Sequence, residues 1–175
     1  MRPLPQLREQ QLPVEVMTLT HAEILETRSR PWPDEAACAA HAAALAARPA
    51  LRDATIELRG ALGAGKTTFV RHLLHALGVP GRIKSPSYTV LEPYELPGFA
   101  ISHFDFYRFD DAREWEDAGL REIFAAPGLK LVEWPQKAEA LLPAPDLRLQ
   151  IDIAGEHARQ VTLQALTPRG RELLR

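Results

Sequence analysis

The stretch GALGAGKTT, residues 60–68, decides how the rest of this chain is interpreted. It fits the phosphate-binding pattern G-x-x-x-x-G-K-[ST] through Gly60, Gly65, Lys66 and Thr67. The preceding residues 54–59, ATIELR, alternate as a strand does, and residues 66–78 carry apolar side chains at helical spacing. A P-loop requires a strand, a glycine loop and a helix in this order, so the stretch predicts nucleotide binding rather than an ordinary tight turn.

Length and composition indicate one globular domain. The chain has 175 residues, of which 46% are hydrophobic and 25% charged, and a net charge of −2. Residues 1–20 are polar, contain proline and show no periodicity, so we expect a loose tail there, with Met17 as an alternative start, and one domain over residues 21–175. The low net charge means that contact with RNA would need a local basic patch or a partner.

The sequence also limits where the protein works. No apolar run approaches the roughly 18 residues that span a bilayer, and the first residues lack the apolar core of a signal peptide, so we expect a cytoplasmic protein without membrane partners. Cys38 is the one cysteine in the chain and lies among alanines, which excludes an internal disulfide and predicts a buried helix residue.

The remaining pattern alternates between strands and helices. Strands are predicted at residues 22–29, 54–59, 87–94, 99–109 and 129–134, and as a hairpin at 147–154 and 158–166. Helices are predicted at residues 32–49, 66–78, 111–124 and 136–142. This order indicates an α/β fold of three layers, with a mixed, mostly parallel central sheet and an antiparallel hairpin at the C-terminus.

In a P-loop, backbone N–H groups of the glycine turn bind phosphate oxygens at the start of the following helix. Gly60, Gly63 and Gly65 supply the required backbone freedom. We expect Lys66 to contact the β- and γ-phosphates and the Thr67 hydroxyl to hold Mg²⁺.

Hydrolysis also needs a carboxylate for the metal and a group that orients water. Asp105 follows the apolar residues AISHF and Glu133 follows LKLV, so a parallel sheet would carry both to the edge where the P-loop lies. The alternatives are a helix cap or solvated acid for Asp105 and a plain strand-end acid for Glu133. His103 shares a strand face with Asp105, but without further ligands it does not predict a separate metal site.

A hydroxyl-rich segment, IKSPSYTV, lies between the P-loop helix and Asp105. Its Ser85, Ser87 and Thr89 are candidates to contact the γ-phosphate or its Mg²⁺, as switch segments do in nucleotide-dependent proteins. The alternative is that these hydroxyls cap a strand.

The motifs GALGAGKTT, KSPSYTVLEPY, HFDFYR, AGLREIF and LVEWP occur in an order and spacing that resemble the TsaE family, also called YjeE. The resemblance covers about residues 30–155. It implies a P-loop ATPase with bound ATP and Mg²⁺, weak intrinsic hydrolysis and a role in making threonylcarbamoyladenosine in tRNA. It also implies work with the TsaD and TsaB proteins, so that tRNA is reached only through their complex, which the ATPase resets between turnovers.

The resemblance assigns roles residue by residue. The nucleotide-binding positions it implies, together with the P-loop glycines, are Gly60, Gly63, Ala64, Gly65, Lys66, Thr67, Thr68, Ser85, Ser87, Thr89 and Trp134. The implied catalytic residues are Lys66, Asp105 and Glu133, and the implied metal ligands are Thr67, Asp105 and Glu133. The chain departs from the family at Ser87, where members have threonine, and at Ala61, where many have aspartate.

Other P-loop functions would require further motifs. A regulatory GTPase should carry an N-K-x-D stretch, which the sequence lacks. A small-molecule kinase should carry an arginine-bearing lid, for which GRIK and FYRFDDAR are poor candidates. The alternative that is not an enzyme is a binding module. Its partner binding would be controlled by the nucleotide, and it would hydrolyse ATP only incidentally.

Overall fold

The computed structural model describes residues 22–175, and the tail expected over residues 1–20 lies outside the described residues. The strands are β1 (Glu26–Trp32), β2 (Thr55–Arg59), β3 (Leu91–Leu96), β4 (Phe99–Asp105), β5 (Leu129–Glu133), β6 (Leu147–Ile153) and β7 (Arg159–Ala165). The helices are α1 (Glu35–Ala46), α2 (Lys66–Ala76), α3 (Ala112–Asp117), α4 (Leu120–Ala125) and α5 (Pro168–Leu174). Two 3₁₀ turns occupy Pro49–Asp53 and Pro135–Lys137.

All strands join one seven-stranded sheet in the order β1-β7-β6-β2-β5-β4-β3. The central strands β6, β2, β5 and β4 are parallel to one another, whereas β3 and β7 pair antiparallel with their neighbours and β1 pairs antiparallel with β7. The expected mixed sheet with a parallel centre and a C-terminal antiparallel hairpin is confirmed. Pro31 is accommodated because β1 is an edge strand, where a missing N–H breaks no ladder.

Helices α1 and α2 cover one face of the sheet. Asp34 caps α1 by accepting a hydrogen bond from the Ala37 N–H at 2.8 Å, and α2 buries its apolar stripe, which includes Phe69 and Leu73. Trp32 stacks on Phe69 with ring centroids 5.5 Å apart. As predicted, Cys38 is buried in α1, and burial raises its thiol pKa to about 12, which keeps it unreactive.

A smaller aromatic cluster covers the other face. Phe104 on β4 stacks on Phe124 of α4 with ring centroids 4.4 Å apart, and Trp115 of α3 lies 5.4 Å from the same ring. The strands serve both faces because successive side chains alternate: Leu131 belongs to the first core and Val132 to the second. The two cores thereby hold helices on both sides of the sheet.

Several predicted boundaries were wrong. The predicted helix 111–124 is broken into α3 and α4 at Gly119. Its φ of 62° is a left-handed conformation that glycine adopts readily, and the resulting bend lets both short helices pack on the second core. Residues 87–90 form a turn before β3 rather than its first part, with Val90 at φ 65°. The strand predicted at 22–29 lies instead at Glu26–Trp32, because its pairing with β7 decides its register.

The end of the chain also differs from the sequence analysis. Residues 136–142 do not form an α-helix: the 3₁₀ turn Pro135–Lys137 takes up their start, and Leu141 and Leu142 pack against the second core from the turn that follows. Helix α5 was not predicted; it begins after Thr167, whose side chain accepts a hydrogen bond from the Gly170 N–H. None of the helices within residues 22–175 is long and apolar enough to cross a membrane.

Close packing at Gly170 gives a test of how α5 is attached. A Cβ added there would lie 1.9 Å from the Asp146 carbonyl oxygen, whereas a Cβ at Gly155 would meet only the Ala158 Cβ at 3.6 Å. We expect Gly170→Ala to lower the free energy of unfolding by more than about 2 kcal/mol. Gly155→Ala is the matched control and should change it little. Urea unfolding of both variants measures the difference, and equal effects would contradict this packing.

Burial of His41 predicts a pH-dependent stability. Burial, assisted by the charge of Arg30, lowers the His41 pKa to about 4, and the Trp32 indole N–H donates to its Nδ1 at 3.2 Å. His41 therefore takes up a proton near pH 6.5 in the unfolded chain but only near pH 4 in the folded chain. The contribution of neutral His41 to the free energy of unfolding is complete above pH 6.5 and is lost as the pH falls toward 4. Between pH 6.5 and pH 4 we expect the free energy of unfolding to fall by about 3 kcal/mol less in His41→Gln than in the parent. The free energy of unfolding is measured for both proteins at each pH. An equal fall in parent and variant would show the expectation to be wrong.

Candidate nucleotide-binding site

A cavity of about 360 Å³ lies at the carboxyl edge of the parallel strands, where the loop after β2 leads into α2. Its walls are formed by Leu62, Gly63, Gly65, Lys66, Thr67, Thr68, Ser85, Ser87, Asp105, Tyr107, Arg108, Glu133 and Trp134. Most of the predicted site residues are therefore brought together from four separate segments of the chain. Crevices at this edge of open α/β sheets are where ligands bind.

Three of the predicted residues lie outside the cavity wall. Gly60 and Ala64 belong to the loop but are not exposed to the cavity, since Ala64 is buried behind it. The Thr89 hydroxyl donates to the Leu91 carbonyl at 3.3 Å, which agrees with the alternative that it caps a strand. Ser85 and Ser87, by contrast, line the cavity.

The loop that precedes α2 depends on glycine at its first and last positions. Gly60 has φ 150°, and a Cβ there would lie 2.5 Å from the Ile151 carbonyl oxygen of β6. Gly65 has φ 108° and forms the N-terminal boundary of α2 without a capping side chain. Helix α2 therefore begins with unpaired N–H groups beside the cavity, an arrangement that favours anions.

Lys66 is held inside this loop. Its Nζ donates to the carbonyls of Gly60 at 2.7 Å and Ala61 at 2.9 Å and lies 4.1 Å from the centre of the Trp134 ring. Burial lowers the pKa of the ammonium group, and the nearby carboxylates of Glu133 and Asp105 act in the opposite direction. A cation is thereby positioned at the cavity wall beside the start of α2.

Glu133 lies at the centre of the site with 2% of its surface exposed. The Thr67 hydroxyl contacts both of its carboxylate oxygens, at 3.1 and 2.8 Å, and His103 Nε2 lies 2.8 Å from Oε1. His103 is fully buried, and its Nδ1 has no hydrogen-bond partner among the described residues. The single hydrogen of a neutral ring therefore belongs on Nε2, where it is directed at Glu133.

Asp105 is fixed next to Glu133 by the sheet. The two residues are register partners at the ends of β4 and β5. The Ser85 hydroxyl donates to Oδ2 of Asp105, and the Tyr107 N–H donates to Oδ1 at 2.9 Å. Ser85 therefore joins the hydroxyl-rich segment to the carboxylate at the strand end.

Sequence analysis missed other residues of the cavity wall. Tyr107 lies 5.0 Å from the Trp134 ring, and the Arg108 guanidinium lies 4.4 Å from the centre of the exposed Tyr88 ring. Leu62, at the tip of the loop, is also exposed. The available signal was position, because Tyr107 and Arg108 directly follow a strand-end carboxylate.

The donor atoms of this cavity fit Mg²⁺ together with phosphate groups. Thr67, Ser85, Asp105 and Glu133 offer hydroxyl and carboxylate oxygens, which are the ligands that Mg²⁺ prefers. Among residues 22–175 there is no group of three or more histidine, cysteine, aspartate or glutamate side chains that could hold a metal alone. The metal would therefore be shared with substrate phosphates and water, as is usual for Mg²⁺.

Known proteins of one family are similar to this chain. The model of the family described as threonylcarbamoyl adenosine biosynthesis protein TsaE matches residues 32–161. A TsaE protein of Haemophilus influenzae is 40% identical over 119 residues, covering 68% of this chain and 75% of the relative. One of Bacillus subtilis is 39% identical over 111 residues, covering 63% and 69%.

Among solved structures, the crystal structure of YdiB from Bacillus subtilis superposes with a TM-score of 0.70 at 28% identity, covering 85% of this chain and 92% of YdiB. The sheet order of parallel centre and antiparallel flanks is thus found in a solved relative. The matched segment includes the loop, both strand-end carboxylates and Trp134. The resemblance seen in the sequence is confirmed, and the chain belongs to the TsaE family.

Proposed function

We propose that this protein is a Mg²⁺-dependent ATPase that serves the formation of threonylcarbamoyladenosine in tRNA. The observation that carries the proposal is the meeting of Lys66 and Thr67 with two buried strand-end carboxylates, Asp105 and Glu133, around one cavity. The family and the names of the relatives support the pathway. The loop and the carboxylates support the chemistry.

Mg-ATP, when bound, supplies the phosphoanhydride to be cleaved and a metal that neutralises its charge. The chain contributes loop N–H groups and the Lys66 ammonium to hold the phosphates. The Thr67 hydroxyl is assigned to the metal, with Thr68, Ser87 and Trp134 as further contacts to the nucleotide. Gly63 and Gly65 line the cavity and would keep the backbone close to these phosphates, whereas Gly60 makes room for the Ile151 carbonyl.

Glu133 and Asp105 divide the remaining work. Glu133 accepts hydrogen bonds from Thr67 and His103, so its oxygens are fixed beside the Thr67 hydroxyl. With the metal on Thr67, this carboxylate would orient a water molecule and take its proton as the water attacks the γ-phosphate. Asp105, held by Ser85 and the Tyr107 N–H, would bind the metal through its waters. Both carboxylates would thereby hold the cation and the water, while the positive charge that the phosphoryl transition state needs would come from Mg²⁺ and Lys66.

The proposed partners rest on the family to which the chain belongs. Residues 21–175 form one ATPase domain in this proposal, and the net charge of −2 gives no general attraction to RNA. With the resemblance, we assign the protein to the cytoplasm, in a complex with TsaD and TsaB. It reaches tRNA through that complex and uses ATP hydrolysis to reset it between turnovers.

Lys66→Ala tests phosphate binding. We expect it to weaken Mg-ATP binding by more than about tenfold, because the β- and γ-phosphates lose their nearest cation. Lys137→Ala removes the same charge from the exposed 3₁₀ turn and serves as the matched control. Equilibrium titration with a labelled nucleotide measures both. Unchanged affinity in a folded Lys66→Ala protein would contradict the assignment.

Glu133→Gln separates binding from hydrolysis. It keeps the shape of the side chain and removes its charge, so we expect Mg-ATP binding within a few-fold of the parent but hydrolysis about a hundredfold slower. Glu156→Gln, at an exposed carboxylate of the hairpin turn, is the control. Single-turnover hydrolysis is measured with the chain alone and with TsaD and TsaB added.

The two halves of that experiment answer different questions. A parent rate in Glu133→Gln would move the catalytic role elsewhere, with Asp105 next to be tested. If TsaD and TsaB fail to raise the parent rate or to bind the chain, the proposed partnership is wrong even where hydrolysis itself is seen. Hydrolysis that no variant changes would favour a binding module with incidental activity.

A further inference from the structure

The turn of the C-terminal hairpin lies against the outer side of the phosphate loop. Arg159, the first residue of β7, donates from Nε to the Ala64 carbonyl at 2.8 Å and from Nη2 to the Gly63 carbonyl at 3.2 Å. Its Nη1 donates to the carbonyls of Gly155 and Ala158 at 3.2 and 2.8 Å. One guanidinium thus joins two carbonyls of the loop to two carbonyls of the hairpin turn.

The hairpin also touches the start of the same loop. A Cβ added to Gly60 would lie only 2.5 Å from the Ile151 carbonyl oxygen of β6, so the two backbones are in close contact. The loop is therefore held at both ends by β6 and β7, although β7 is not adjacent to β2 in the sheet. Contact at both ends restricts a segment that is otherwise rich in glycine.

Fixing a carbonyl also fixes the N–H of the same peptide unit. In a planar trans peptide the C=O and N–H point in opposite directions. Arg159 holds the Ala64 carbonyl on the side away from the cavity, since neither Ala64 nor Arg159 is part of the cavity wall. The Gly65 N–H of that peptide is consequently directed away from Arg159, toward the side that Gly65 lines.

The neighbouring peptide obeys the same rule. Arg159 binds the Gly63 carbonyl, and the Ala64 N–H of that peptide donates to the Ala61 carbonyl at 3.0 Å, which closes the turn. The Arg159 guanidinium donates to backbone carbonyls of the loop, so these hydrogen bonds do not depend on the side chains of the loop. Among the described residues it is not in an ion pair with any carboxylate, and its positive charge stays available beside the loop.

We propose that Arg159 is a positioning residue for phosphate binding: it holds the loop in the conformation that presents its N–H groups to the nucleotide. This inference rests on the proposed function, because the phosphates are those of ATP or ADP. Loop ordering that is complete before binding removes a free-energy cost from each binding event. Arg159 does not contact the cavity, so it acts on affinity rather than on the cleavage step.

The test compares Arg159→Lys and Arg159→Ala with the parent. Lysine keeps the charge but has one terminal nitrogen and cannot reproduce the planar fork that spans both peptides. Arg171→Lys and Arg171→Ala are matched controls, since Arg171 also donates to a distant backbone carbonyl, that of Leu25, but far from the loop. Each protein is titrated with Mg-ADP, assayed in single-turnover hydrolysis at saturating ATP, and followed by thermal unfolding.

We expect both Arg159 variants to bind Mg-ADP about tenfold more weakly, with the hydrolysis rate at saturating ATP within about threefold of the parent. In the Arg159 variants only, amide hydrogen exchange in the nucleotide-free proteins should be at least about tenfold faster at Ala64, whose N–H donates to the Ala61 carbonyl. The Arg171 variants should match the parent in affinity, hydrolysis rate and exchange at Ala64. This split between affinity and rate would not arise from a general loss of stability.

Each other outcome has a defined meaning. Parent affinity and parent exchange at Ala64 in a folded Arg159→Lys protein overturn the proposal, and so does failure of both Arg159 variants to fold, which would show that the arginine serves the fold. If the parent itself binds no Mg-ADP, the proposed function fails instead. The exchange measurement, which needs no nucleotide, then still decides whether Arg159 orders the loop.

Discussion

The parallel pairing of β5 with β2 on one side and β4 on the other is the constraint on which the whole site depends. It sets Glu133 opposite Leu58, the next-to-last residue of β2, and opposite Asp105, the last residue of β4. Both carboxylates thereby lie at the same edge as the glycine loop that follows β2. A slip of one residue in either pairing would turn these side chains to the opposite face of the sheet, so the register itself positions the chemistry.

The site combines buried charged side chains with two residues in an unfavourable backbone conformation. Lys66, Asp105 and Glu133 are nearly fully buried, and each is stable there because fixed donors or acceptors surround it. Trp134 has φ 55° and Val90 has φ 65°, a conformation that costs free energy for residues other than glycine. Both lie next to site residues, Trp134 after Glu133 and Val90 on the segment that leads from Ser85.

The C-terminal hairpin has two roles in this architecture. It extends the sheet from β6 to β7 and supplies the surface on which the edge strand β1 pairs. It also places Ile151 and Arg159 against the phosphate loop. Both residues fall within the segment that matches the TsaE family, whereas α5 lies beyond it. The hairpin thus packs against the candidate site, whereas α5 packs at the end of the chain.

Local pattern alone was enough to predict the glycine loop, the central strands and the strand-end positions of Asp105 and Glu133, because each depends on the periodicity of neighbouring residues. The break at Gly119, the turn at residues 136–142 and the register of β1 depended on packing against distant elements, which outweighs short-range propensity. The same reason explains why sequence reasoning left His103 without a partner and did not consider Arg159. His103 reaches Glu133 from a neighbouring strand, and Arg159 reaches Ala64 from the far end of the chain. The sequence by itself determined which groups are proposed to carry the chemistry; only the tertiary structure decided what holds them, because those contacts join residues that the chain brings together only when the sheet forms.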